Sequence, residues 1–539
     1  MAVGLVAAVV CLCWTCCNRV PIAVQTSTAD RGSALLPLPR SAVLRGSVAG
    51  PDGPVAGATV RWQTHGEAVV TGRRGEFELP IVTGRRRLAV SAEGHYITTR
   101  DVRAGDDVRI TLEPLPSHDA ASYTWADPQP CAASPQNCGN CHERIHAEWL
   151  RSAHARSATN PRLRDLIEGQ DTHGAAEPEW HMRRDHPHGV AVCNACHAPT
   201  LEPADRHWES LTRAAGAAAK GVHCDFCHKV QSIDTSNVGA THGRYAMRLL
   251  RPGDGRQVVF GPLEDTERAD TAAAAVYRHS EYCASCHEGT IFGVRAYTTY
   301  SEWLGSPAGR AGRQCQDCHM AAAAGVTNMA PLRGGLERNP ATLSDHSLRS
   351  ATNPRYEDVI RLTVEAQATT AGVRATLTID ASQVGHAVPT GFIDRHLVLL
   401  VDAFDNAGTV VPVLEGTRLP EYAGASLAGR PGFLFAKVLA DPAGRLTAPV
   451  WNASAIHADT RLDPNRPQNM TFLLGAAAAR LRVQFLHRDF WESMRTRKRW
   501  GDDTTVLLDA ECGLPAPPTR LLPRPTPVAP GAGAPRHDP

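Results

Sequence analysis

The chain has 539 residues, 42% apolar and 21% charged, enough for several cores, so two to four domains are expected. A formal charge of +1 gives no electrostatic footprint for nucleic acid. Arginine dominates the basic residues, with lysine only at positions 220, 229, 437 and 498, a bias that reads as genome composition rather than chemistry.

The chain opens on "MAVGLVAAVVCLCWTCCNRV", apolar through Cys17 and polar afterwards. That is the length of a signal-peptide core and short of the roughly 20 residues of a membrane span. Residues 1–17 are therefore expected to be a signal peptide or N-terminal anchor, and 18–42 a linker. The protein is expected to be exported, to the periplasm or the cell surface. Membrane or cell-surface attachment stays open.

Residues 43–113 carry short stretches of period-2 alternation, among them "GEFELPI" and "DVRITLEP", separated by "GPDGP" and "GRRG" turns. This pattern predicts a small antiparallel β-sandwich. Residues 114–130 read as a linker. From 355 to 510 strand patterns return, in "VIRLTVEAQ", "VRATLTIDA", "HLVLLVDAF", "FLFAKVLAD", "NMTFLLG" and "LRVQFLHRDF", predicting a larger second sandwich. The tail, 513–539, is rich in Pro and Gly and is expected to be disordered.

Between the two strand-rich regions, residues 131–350 behave differently. They are loop-rich, short of aliphatic periodicity, and hold ten of the sixteen cysteines in five repeats: "CGNCH" from Cys138, "CNACH" from Cys193, "CDFCH" from Cys224, "CASCH" from Cys283 and "CQDCH" from Cys315. Structural zinc takes four ligands in tetrahedral sets, and five knuckles with an adjacent histidine do not divide that way. A thioredoxin-like site would use one such pair in a βαβ setting. The pattern that fits is covalent haem c: two thiols on the vinyl groups and the next histidine under the iron. Five haems are expected, on Cys138 and Cys141, Cys193 and Cys196, Cys224 and Cys227, Cys283 and Cys286, and Cys315 and Cys318. The proximal ligands are then His142, His197, His228, His287 and His319. Haems would also supply the core that the aliphatic residues do not. The fold class expected is thus multidomain: a loop- and helix-rich pentahaem cytochrome c core between a small and a larger β-sandwich.

Three resemblances add to this. The line "GSVAGPDGPVAGATVRW…GRRGEFELP…RRLAVSAEGHY" resembles carboxypeptidase-regulatory-like domains, which implies a spacer or adhesion module without catalysis. "CGNCHERIHAEWLRSAHARS", "GVHCDFCH", "SEYCASCHEG", "TYSEWL", "CQDCHM" and "LSDHSL" resemble the cytochrome c554/c-prime group of multihaem cytochromes. That resemblance implies His154 and His346 as distal ligands. A fifth motif here departs from the group's four, so its pairing of ligands to haems does not carry over. "VGHAVPTGF" resembles a segment in C-terminal β-domains of multihaem cytochromes, which implies His386 as a third distal ligand. His223, His242 and His279 are weaker candidates, and the cluster His181, His186 and His188 reads first as surface.

Bis-histidine ligation saturates an iron and leaves a one-electron relay, so electron transfer to redox partner proteins is the leading expectation. No catalytic residue is assigned. The alternatives are an oxidoreductase acting on a small nitrogen or sulfur compound at one open iron, and a structural extracellular assembly that self-associates. The close second–third and fourth–fifth motif spacings suggest haems packed in those pairs. Cys131 and Cys512 are candidates for a disulfide.

Overall fold

The structure, a computed structural model, describes residues 43–82, 86–103, 106–187, 191–201, 211, 214–253, 255–266, 268, 270–348 and 359–522, which belong to one compact unit. The expected leader 1–17, the linker 18–42, His188 and residues 523–539 lie outside them. Among the described residues no helix is long and apolar enough to cross a membrane.

Residues 43–111 form two layers. In one, Val43–Gly50 lies between Glu76–Pro80, antiparallel, and Asp107–Thr111, parallel, with Gly53–Pro54 folding back on its end. In the other, His65–Val70, Thr59–Trp62, Arg86–Ser91 and Thr98–Val102 pair in that order. Alternation turns Leu44, Val48, Phe77, Leu79, Val108 and Ile110 of the first layer onto Val60, Trp62, Leu88 and Val90 of the second. The parallel closing strand departs from the antiparallel expectation. It runs so close to the first strand that a Cβ on Gly46 would sit 2.3 Å from the Val108 carbonyl oxygen, so only glycine fits there.

Residues 359–520 hold two larger sheets. Val413–Glu415, Gln468–Leu474, Gly372–Asp380, Arg361–Thr369 and Ala516–Arg520 make one. Ala455–Asp459, Gly432–Ala440, His396–Phe404, Arg480–Arg488 and Thr505–Gly513 make the other, with Val410–Val411 on its third strand. Leu362, Val364, Leu377 and Phe472 pack with Leu397, Leu399, Phe435 and Phe485 in a common core. All six stretches singled out in the sequence hold strands of these sheets. Residues 513–522, expected in the disordered tail, are ordered: Ala516–Arg520 pairs antiparallel with Arg361–Thr369 and so extends the first sheet. Neither Cys131 nor Cys512 is disulfide-bonded.

Among the described residues the middle region has only short helices and two-stranded ladders. Its largest apolar cluster is shared with the last region: Leu166, Ile167, Met182, Ile291 and Val294 pack with Ile393, Trp451, Met494 and Trp500. The helix that follows the first motif is short. Glu143–Arg151 ends at Ser152, whose backbone is extended, and His154 begins a separate 3-10 turn.

Candidate metal centres

Each CxxCH stretch lies on a short helical turn: Cys138–Asn140, Ala191–His197, Cys224–Cys227, Glu281–His287 and Cys315–His319 carry the five. Residues three and four apart on a helix share a face, so one turn presents both thiols and the imidazole to the same side. Backbone bonds close these turns, as from the His142 N–H to the Cys138 carbonyl at 3.0 Å and from the His228 N–H to the Cys224 carbonyl at 2.9 Å.

Four imidazoles are oriented by backbone carbonyls. His142 Nδ1 lies 3.1 Å from the Met329 oxygen, His228 Nδ1 2.5 Å from that of Phe260, His346 Nδ1 3.0 Å from that of Ser344, and His386 Nδ1 2.9 Å from that of Ala387. A carbonyl only accepts, so Nδ1 carries the proton in each ring and Nε2 keeps its lone pair for a metal. Burial holds the rings neutral: the pKa values of His154 and His228 fall to about 4 and that of His287 to about 3, desolvation being the first cause each time.

Two pairs of rings stand at the separation one iron requires. The His154 and His287 centroids are 6.3 Å apart, and those of His319 and His386 are 6.2 Å apart with planes 12° from parallel. Imidazole nitrogens bind metal ions at about 2.0–2.1 Å, which with the ring radii puts two trans imidazoles roughly 6 Å centre to centre. Paired thiols, neutral imidazoles and opposed rings together suit a covalently held haem.

The thiols of different motifs meet. Cys224 lies beside Cys138, Cys286 beside Cys196, and Cys283 beside Cys315, while Cys227 lies within electrostatic range of Cys283 and Cys286. The order in space is therefore first, third and fourth motif, with the second and fifth both against the fourth. Of the motifs whose close spacing suggested paired haems, the fourth and fifth have neighbouring thiols, whereas the third motif's thiols lie by the first's. The reason is local: Trp149 Nε1 donates to the Val222 carbonyl at 2.9 Å and the Val222 N–H to that of His154 at 3.1 Å, tying the third motif to the first motif's helix.

The remaining candidates are placed as follows. His346 lies within electrostatic range of both His142 and His228. His223 is fully buried against the edge of Trp125, and its Nδ1 accepts from the Phe226 N–H at 3.4 Å. His242 directs Nε2 at the Thr290 carbonyl, 3.1 Å away. His279 is exposed, and its carbonyl accepts from Gln316 at 2.8 Å. His186 packs on Phe292, with centroids 4.5 Å apart.

Three supporting groups, Asp225, Lys229 and Tyr123, were missed in the sequence. Asp225, inside "CDFCH", takes Lys229 at 2.5 Å, the Tyr123 hydroxyl at 2.9 Å and the Ala126 N–H at 2.8 Å. The segment expected to be a plain linker thus straps the third motif. A usable signal was the scarcity of lysine: of the four, Lys229, Lys437 and Lys498 are at most 3% exposed. Where arginine is the default cation, a lysine marks a site that needs a compact ammonium.

Beside the second motif lies a different environment. Among the described residues no imidazole opposes His142, His197 or His228 at the separation seen for those two pairs. Cys193 packs in the same apolar cluster as Phe292, Tyr297 and Phe392. Burial raises the Tyr297 hydroxyl, helped by the nearby Cys193, Cys196 and Asp394 and opposed by Arg395. Asp394 is 2% exposed, and burial pushes its carboxyl up to about 8 against the opposing hydrogen bond from Trp491. The folded chain therefore holds this proton between about pH 4 and 8, where the unfolded chain has released it. Stability from this group is full below pH 4 and falls as pH rises to 8. In Asp394→Asn, melting curves are expected to lack that decline, with the variant gaining on the native chain most at pH 8–9. Equal pH slopes would refute the raised carboxyl.

No protein-family model matches the chain, and no curated protein does. Among solved structures it is similar to a penta-heme cytochrome c552 from Thermochromatium tepidum. The two are 22% identical, and the match covers 70% of this chain and 97% of that one, with a TM-score of 0.52. The likeness establishes a shared fold.

Proposed function

We propose that this protein is an exported pentahaem c-type cytochrome that relays electrons along covalently bound haems. The observation that carries the reading is the pair of opposed imidazoles, His154 with His287 and His319 with His386, each standing where one iron would be held from both sides. Such irons have no place for substrate and exchange single electrons. The thiol contacts make the fourth motif a junction: electrons entering at the first motif would pass the third and reach the fourth, from which the second and fifth branch. The protein's part is to fix the order, keep the imidazoles aimed, and exclude water. The two β-layered regions, the first read as a carboxypeptidase-regulatory-like sandwich, would be modules framing that relay. Redox proteins of the exported compartment are its partners.

The second reading is an oxidoreductase for a small nitrogen or sulfur compound at one open iron, and the surroundings of the second motif favour it. Tyr297, Asp394 and Arg395 gather on that side, offering a hydroxyl, a neutral acid and a fixed cation.

A pyridine haemochrome count with low-temperature EPR separates the readings. Five haems per chain, all low-spin and inert to cyanide and nitric oxide, is the result for a saturated relay. Five haems with one high-spin iron that binds these ligands moves the assignment to catalysis. A count well below five, with bound zinc, overturns both.

A further inference from the structure

The segments "EWLRS" at Glu148–Ser152 and "EWLGS" at Glu302–Ser306 lie far apart in the chain, yet a set of their hydrogen bonds repeats. In each, the Trp indole donates to the carbonyl two residues ahead of a motif's first cysteine. Trp149 Nε1 reaches the Val222 oxygen at 2.9 Å, ahead of Cys224, and Trp303 Nε1 reaches the Arg313 oxygen at 2.7 Å, ahead of Cys315. In each, the Ser N–H returns to the Trp carbonyl, at 2.8 Å for Ser152 and 3.0 Å for Ser306. The Ser hydroxyl then accepts the N–H three residues on, from Ala155 at 3.4 Å and from Gly309 at 3.1 Å. Both Leu side chains are exposed and both Trp side chains buried.

The carboxylates complete the match. Glu148 Oε1 is held by Arg144, and its Oε2 accepts the backbone N–H of His346 at 3.0 Å. Glu302 Oε1 is held by Arg461 at 2.5 Å, and its Oε2 accepts the backbone N–H of Ala387, next to His386, at 3.1 Å. Each unit thus grips a haem motif with its Trp and a distant histidine loop with its Glu. In the second unit the two gripped parts carry His319 and His386, the opposed pair at 6.2 Å.

We infer that Glu-Trp-Leu-x-Ser is a duplicated clamp, that Glu148 and Glu302 are positioning residues for the distal ligands His346 and His386, and that His346 serves the iron of the third motif, at His228. The inference rests on the haem reading above and deepens it. One carboxylate oxygen is fixed by an arginine, so the other presents a lone pair of set direction to a loop amide. The loop cannot then move its imidazole off the iron without stranding a partly buried carboxylate. Glutamine keeps an acceptor oxygen for that amide, whereas alanine removes it.

The test uses the full haem-loaded chain. Five haems in the unaltered protein confirm the underlying reading independently of the clamp. Glu302→Ala and Glu148→Ala are each expected to keep five haems and to convert one low-spin iron to a high-spin one that added imidazole returns to low spin. The double variant should convert two, and Glu302→Gln and Glu148→Gln should stay low-spin. Unchanged spectra in both Ala variants, or equal loss in Gln and Ala, would overturn the positioning role. A crystal structure of the unaltered haem protein decides the pairing without relying on any variant. His346 on the iron attached at Cys224 and Cys227 supports it, and His346 on the iron at Cys138 and Cys141 sinks it.

Discussion

Replacing Cys283 and Cys286 together by serine is expected to remove at least two haems, whereas the same change at Cys315 and Cys318 removes one. The difference follows from position. The fourth motif's thiols meet Cys196 and Cys315 and lie near Cys227, so its haem would touch the settings of three others. Its helix buries Ala284 and Ser285 completely, and Tyr277 and Tyr282 donate to the Cys227 carbonyl at 2.6 and 2.8 Å, joining it to the third motif. The fifth motif's helix buries no residue, and Cys318 is exposed. A haem at the junction would be core for its neighbours, and losing a large buried apolar group leaves a cavity whose lining cannot close. Haem counts and calorimetry on the two double variants check this. Loss of a single haem from both, with both transitions intact, would remove the case for a central fourth haem.

The second large effect is expected at Asp265, which joins the first β-layered region to the motif region. Its carboxylate accepts the Thr64 N–H at 2.9 Å and pairs with Arg338 at 2.6 Å, while its carbonyl takes Gln63 at 3.1 Å. Both charges are almost fully buried, at 3% and 6% side-chain exposure. Removing one partner of such a pair strands the other, at a cost of about 3–5 kcal/mol. Asp265→Ala should therefore loosen residues 43–113 from the rest, although Tyr96 and Ile97 still bond the Gln257 and Thr271 carbonyls. Limited proteolysis should release that region from the variant and not from the native chain, with the haem spectrum unchanged. Identical digestion patterns would show that Asp265 does not hold the junction.

These two expectations differ in how far they can be read from sequence. The motif cysteines announce themselves by spacing. Asp265 does not, because its role depends on Arg338 and Thr64, distant in sequence and adjacent only after folding. Asp225 and Lys229 are intermediate: they sit at helical spacing inside a motif, but Tyr123 and the Ala126 amide reach them from a stretch that looks like a linker. The opposite error occurred at residues 513–522, where proline content suggested disorder. Proline is tolerated on an edge strand, and Ala516–Arg520 occupies the outer position of its sheet.

What the sequence determined by itself is the local chemistry. Two thiols and a histidine within five residues need only one helical turn to converge, and alternation along "HLVLLVDAF" or "EFELP" needs only a sheet to choose its face. Tertiary structure alone decided the rest: that the third motif lies against the first, that His154 faces His287 and His386 faces His319, and that two glutamates hold the loops that bring distant histidines in. Those partners come from segments tens to hundreds of residues apart. Their meeting is set by which carbonyls, amides and charges are satisfied once the chain is packed, and no spacing rule along the chain encodes that.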